Sequence, residues 1–163
     1  MLVVSLAVAM ACSKKSERAK PAPLVPLKLP RVGLVITLPE GAVVTDELGA
    51  SRMDGTPVES ASTGDTVLTS SIGGIDIDLD DAGAPKPDDI RAQVAASSPK
   101  NFNVESFAEG FVVTYETHSP TATLYWLEMH RKIGDSWYRC KSGTSLPEGR
   151  ERARAACKSL EQS

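Results

Sequence analysis

Apolar and polar positions alternate most regularly in the second half of the chain, and there they predict a four-stranded antiparallel meander. Asn101 to Phe107 and Phe111 to Thr117 read as strands joined through Glu109-Gly110, while Leu124 to Lys132 and Ser136 to Lys141 are joined by the two-residue turn Gly134-Asp135. Under these turns Val104 is expected to face Tyr115, and Met129 to face Cys140. The middle connection, around Ser119-Pro120-Thr121, is placed by matching Phe111, Val113 and Tyr115 to Met129, Leu127 and Tyr125. This predicts a core face of Phe102, Val104, Phe111, Val113, Tyr115, Tyr125, Leu127, Met129, Tyr138 and Cys140. The opposite face, with Thr114, Glu116, His118, Trp126, Glu128, His130, Arg139 and Lys141, is expected to be solvated. From Pro147 to Leu160 the period becomes helical, with Ala153, Ala156, Cys157 and Leu160 at i, i+3, i+4 and i+7 to cover the core face. Ser145 reads as the cap of this helix and Pro147 as its first turn. Its Arg150, Arg154 and Lys158 lie among Glu148, Glu151 and Glu161, the composition of a solvated face.

Upstream the pattern is sparser. Arg31 to Leu38 reads as a first strand closed by Pro39-Glu40-Gly41, and shorter strands are placed at Thr56 to Ser60 and Asp65 to Ser71. Ile75 to Asp80 alternates strictly, setting Ile75, Ile77 and Leu79 against Asp76, Asp78 and Asp80 on an outer face. Asp88 to Ala96 reads as a short helix, capped by Asp88, with Ile90 and Val94 one turn apart. The expected class is α+β: a mainly antiparallel sheet with a four-stranded C-terminal meander and helices packed on one face.

The run Met1 to Ala11 is apolar but too short for a hydrocarbon core that needs about 20 helical residues. It has the length of a signal-peptide core and ends in Ala9-Met10-Ala11 directly before Cys12. That junction resembles a bacterial lipobox, and the resemblance implies a signal peptide over residues 1–11, cleavage before Cys12 and acylation of Cys12. It also implies a lipoprotein anchored to the membrane and facing the periplasm or the exterior. Residues 12–30, charged and then rich in Pro21, Pro23, Pro26 and Pro30, read as a lipidated tether. At about 3.1 Å per residue it would reach roughly 50 Å. Residues 31–163 are left as a single domain. Of three cysteines, lipidation uses Cys12, and Cys140 and Cys157 are expected to pair in an oxidising compartment.

Composition narrows the function without naming it. The chain has 163 residues, 41% apolar and 24% charged, with a net charge of −3, which argues against a nucleic-acid partner. Asp76, Asp78, Asp80 and Asp81 begin like a calcium loop, but Asp81 stands where glycine is needed and Pro87 where the closing glutamate belongs. His118 and His130 fall roughly 20 Å apart on the expected strands and cannot share an ion. Both are expected at the surface, with replacement by alanine harmless to folding. No metal, cofactor or catalytic motif is expected. The opening Gly33 to Val44 (GLVITLPEGAVV) resembles the start of PsbP/Mog1-like domains. The reading is therefore a non-enzymatic binding, assembly or structural module of the envelope, with Trp126, His118 and His130 as a candidate binding surface. The competing class is a small hydrolase or metal-dependent enzyme whose site is assembled in space.

Overall fold

The computed structural model describes residues 22–30, 32–40, 42–45, 58–63, 74–80 and 82–163. The signal-peptide region, Cys12, the start of the tether and the strand expected at Asp65 to Ser71 lie outside the described residues. The elements run β1 (Leu24–Leu29), β2 (Leu34–Pro39), β3 (Ala42–Thr45), β4 (Val58–Thr63), β5 (Ile75–Leu79) and α1 (Pro87–Val94), which tightens into a 3-10 turn (Ala95–Ser97). They continue as β6 (Lys100–Phe107), β7 (Gly110–His118), β8 (Thr123–Ile133), β9 (Ser136–Thr144), α2 (Pro147–Lys158) and β10 (Glu161–Gln162). These form an α+β fold with a three-stranded sheet, β1-β2-β10, and a seven-stranded sheet, β3-β4-β5-β9-β8-β7-β6. Their pairings are antiparallel. Among the described residues no helix is long and apolar enough to cross a membrane.

The folded unit starts earlier than residue 31. Leu24–Leu29, assigned from its prolines to the tether, pairs along its whole length with β2, from Leu24 opposite Pro39 to Leu29 opposite Leu34. β1 lies at the edge of its sheet, where Pro26 is not asked to donate to a further strand. Its Leu29 joins Leu34, Ile36 and Leu38 of β2 in the main core.

The meander strands also register differently from the expectation. β6 and β7 meet with Val104 opposite Val113, two residues from the expected Tyr115, so the side chains keep their faces. Gly110, at the start of β7, has no room for a side chain, since a Cβ would strike the carbonyl of His130. β7 and β8 meet one residue from the expected alignment: His118 pairs with Thr123 and Val112 with Met129. The turn explains the slip. Ser119 donates its amide to the Ala122 carbonyl (2.8 Å), and its hydroxyl accepts from the Ala122 amide (3.0 Å), making a four-residue connection of 119–122. A shift of one reverses the face of every side chain on a strand. Phe111, Val113 and Tyr115 therefore lie on the face of Trp126, Glu128 and His130, while Val112 lies with Leu127, Met129 and Cys140. The β8-β9 register, with Glu128 opposite Lys141 and Met129 opposite Cys140, is as the Gly134-Asp135 turn dictates.

Both faces of the large sheet are consequently covered, and the helices do not share a side. Val112, Leu127, Met129, Tyr138, Cys140, Ile75 and Ile77 pack with Ala153, Ala156, Cys157 and Leu160 and with β1 and β2. On the other face Val113, Tyr115, Phe102, Phe111 and Trp126 pack with Ile90 and Val94 of α1. Helix α2 begins at Pro147 with Leu146 at its N-cap, and Ser145 is not the cap. Likewise Lys86, not Asp88, is the N-cap of α1, and Asp89 accepts its amide.

Two devices hold α2 down, since an apolar stripe of two alanines and one leucine buries little surface. Arg131 of β8 donates to the Lys158 carbonyl at the end of α2 (2.6 Å), which the helix itself leaves unpaired, and to the Leu160 carbonyl just beyond it (3.0 Å). The second device is a disulfide joining Cys140 to Cys157, with Cα atoms 5.8 Å apart. Closing a loop of this size stabilises a fold by about 3 kcal/mol in the chain-entropy model. We expect Cys140→Ala/Cys157→Ala to lose about that much in urea unfolding under oxidising conditions. Peptide mapping without reductant should return the Cys140–Cys157 pair, and free thiols at both positions in folded protein would contradict the bridge.

Candidate functional site

The face beneath α1 is polar at one end and aromatic at the other. At the polar end β5, β8 and β9 bring Asp78 and Asp80 together with Glu128, His130, Arg139 and Lys141, and the middle of the group is withdrawn from solvent. Asp78 is 0% exposed and takes two hydrogen bonds from Arg139, at 3.0 and 2.6 Å. His130 is 1% exposed, with Nδ1 2.9 Å from Asp80 Oδ2 and Nε2 3.0 Å from Glu128 Oε1. Its ring stacks on Phe111 at 5.1 Å. Lys141 completes the group, 3.6 Å from the other Glu128 oxygen. Burial pushes the Glu128 carboxyl up, but the hydrogen bond from His130 and the charges of Lys141, His130 and Arg139 outweigh it, leaving the group below its ordinary value. Burial likewise opposes the Arg139 charge, and its contacts with Asp78, Glu128 and Asp80 more than offset that.

At the aromatic end the rings of Phe102, Tyr115 and Trp126 form a ladder across β6, β7 and β8, each step 6.1 Å between centroids. A cation caps each end: Arg91 over Phe102 at 4.5 Å and Lys141 over Trp126 at 5.6 Å. Trp126 lies across Gly143, where an added Cβ would sit 2.6 Å from the ring, and its Nε1 donates to Thr117 (2.9 Å). Burial first, and the Glu128 charge second, push the Tyr115 hydroxyl up to about 12, so it stays a protonated donor at any physiological pH. Between this ladder and the C-terminal end of α1 is an open recess of about 350 Å³, with Val94, Ala96 and Ser97 on one wall and Tyr115, Trp126 and Lys141 on the other.

The residues singled out from sequence do not form one surface. Trp126 is half-buried and lines the recess. His118 is 47% exposed, hydrogen-bonded to Thr123 (3.0 Å) and near Glu116 (3.5 Å), on the opposite face of the sheet. His130, expected beside Trp126 in solvent, is enclosed because the one-residue shift of β7 lays Phe111 over it. Its two nitrogens point at carboxylates on opposite sides, a bridging arrangement and not a metal-binding one. Among the described residues no group of three His, Cys, Asp or Glu side chains is disposed to hold a metal ion. Sequence reasoning missed Asp78, Asp80 and Arg139 as buried partners. The sequence shows only the alternation of Ile75 to Leu79; that β5 lies between β4 and β9, with Asp78 opposite Arg139, is decided by the tertiary structure.

Two outcomes follow for stability. His130→Ala, expected from sequence to be neutral, should cost about 3 to 5 kcal/mol in chemical unfolding, because it strands a buried carboxylate; His118→Ala should change stability little. Glu128, whose folded value is lowered, contributes stability that is complete above its unfolded value and is lost as pH falls through the folded one. Urea midpoints measured down the acid range should therefore fall less steeply in Glu128→Gln than in the wild type.

No protein-family model and no curated protein matches the chain. Among solved structures it is similar to the solution structure of cyanobacterial PsbP (CyanoP) from Synechocystis sp. PCC 6803. The TM-score is 0.54 at 11% identity, covering 90% of this chain and 96% of that one. At that identity the likeness is one of fold, and the resemblance of Gly33 to Val44 to the opening of PsbP-like domains is matched by a PsbP-like arrangement of the chain.

Proposed function

We propose that this chain is a bacterial envelope lipoprotein, anchored through acylated Cys12, whose folded domain is a non-enzymatic binding or assembly module. The observation that carries the reading is the Cys140–Cys157 disulfide. A bridge between a strand and its covering helix suits an oxidising compartment. It also leaves Cys12 as the remaining cysteine of the three, directly after an apolar run of signal-peptide length.

The module would bind at the recess beside Trp126. The half-buried Trp126 ring is open there to a partner, whereas the ionisable groups nearby are committed to one another. His130 is buried under Phe111 with both nitrogens occupied, so it offers a hydrolase or metal-dependent enzyme no ready base or ligand. The balance therefore favours binding.

Labelled fatty acid should enter the wild-type protein and not Cys12→Ser, which should also keep its signal peptide; equal labelling of the two would sink the anchor. For the binding role, a photo-crosslinking residue at Ser97, on the recess wall, should trap a partner in intact envelopes. Trp126→Ala should abolish that adduct. An adduct that persists in this variant would move the binding surface elsewhere.

A further inference from the structure

We propose that the recess beside Trp126 takes a carboxylate carried on a flat apolar body, either a free aromatic acid or the aromatic C-terminal residue of another chain. The inference rests on the recess being the binding site and names the chemistry bound there. Tyr115 supplies the first observation. It is 3% exposed, and its hydroxyl makes no hydrogen bond among the described residues, although a buried tyrosine ordinarily finds a partner for its O–H. Among those residues only Arg150 and Arg154 hold polar side-chain atoms that are both sealed from solvent and unpartnered. The Tyr115 oxygen is therefore open, and the opening that its residue lines is the recess. Burial and the Glu128 charge keep the hydroxyl protonated, so it is a donor that the protein leaves without an acceptor.

The strand register puts further donors on the same floor. Thr117 lies two residues beyond Tyr115 on β7, Trp126 is opposite Tyr115 on β8, and Lys141 of β9 is opposite Glu128, two residues along from Trp126. All four side chains therefore leave one face of the sheet. Thr117 Oγ1 accepts from Trp126, which leaves its own O–H to donate. Lys141 has three N–H donors, is 29% exposed, and stands 3.6 Å from Glu128, beyond ordinary hydrogen-bond distance. Among the described residues lining the recess Lys141 carries the one charge, and no carboxylate lines it. The donors select an acceptor, and the single positive charge suits a monoanion. Glu128 does not counter this, because its charge is already met by Lys141 and by the hydrogen bond with His130.

The rest of the lining fixes the body that bears the charge. Val94 and Ala96 form an apolar wall, and the Trp126 ring gives a flat apolar floor. The Phe102-Tyr115-Trp126 ladder stops at that ring, so a further ring laid on Trp126 continues the stack. The volume, about 350 Å³, equals the share of about a dozen waters and lies near the lower end for ligand sites. It admits one ring with a short acidic arm. A carboxylate has two oxygens for the two leading donors, the Tyr115 hydroxyl and the Lys141 ammonium.

Two acids test this on the full-length protein: 3-phenylpropionate, and a tripeptide ending in phenylalanine. Each is titrated beside its own amide, which keeps the shape and removes the charge. Binding is followed by NMR at the Trp126 indole N–H, with Trp137 as the internal reference of two tryptophans. At least one acid should shift Trp126 and not Trp137, and should bind about tenfold or more tightly than its amide. The tighter acid then identifies the source, free or chain-terminal. Tyr115→Phe keeps the ring ladder and should weaken the acid by about tenfold. No Trp126 shift with either acid, equal binding of acid and amide, or undiminished acid binding in Tyr115→Phe would overturn the assignment. The first two comparisons use the wild type alone and decide the matter if the variant does not fold. The two readings fail separably: a Ser97 adduct lost in Trp126→Ala, with neither acid bound, would refute the carboxylate and keep the recess.

Discussion

The hydrogen-bonded turn of Ser119 to Ala122 sets the register of β7 against β8, and most of the structure depends on that alignment. With His118 opposite Thr123, Val112 joins Leu127 and Met129 over Cys140, and the disulfide to Cys157 can form inside an apolar layer. The same alignment turns Phe111, Tyr115 and Trp126 to the other side, where α1 closes over them. One residue of slip would exchange these sets and set aromatic rings against α2, whose small residues suit close approach to the sheet. The turn accordingly decides which helix covers which face.

Coverage of both faces explains the charge network. Asp78 of β5 and both Glu128 and His130 of β8 lie under protein, with Asp80, Arg139 and Lys141 at its edge, so each buried group needs a partner or a large desolvation cost follows. Asp78 with Arg139, and Asp80 with His130 and Glu128, meet that requirement across three neighbouring strands. An exposed pair such as Arg154 with Glu105, also 2.6 Å apart, contributes about 0 to 1 kcal/mol, because water screens it and holding two long side chains costs entropy. Distance alone does not rank these contacts; burial does.

The two ends of the covered face have different physical characters. Toward Asp80 the side chains satisfy one another and rigidity results. Toward Trp126 the aromatic ladder runs out from under α1, leaving a ring with an open side and a lysine at its rim. The second end therefore suits binding better than the first.

The sequence by itself determined the α+β class, the β8-β9 hairpin, the alternating Ile75 to Leu79 strand, the apolar stripe of α2 and the pairing of Cys140 with Cys157. Each rests on local chemistry: a Gly134 turn with positive φ, a period of two, a period of 3.6, and two sulfurs on facing stripes. Only the tertiary structure decided the phase of β7. Phe111, Val112, Val113, Thr114 and Tyr115 offer apolar surface on both sides, so alternation carries no phase there, and a four-residue turn without glycine could not be told from a three-residue one. That one ambiguity hid the burial of His130, the second core under α1 and the buried role of the aspartates. β1 was hidden for another reason: its prolines look like a linker until an edge position, where no amide is needed, is available to receive them.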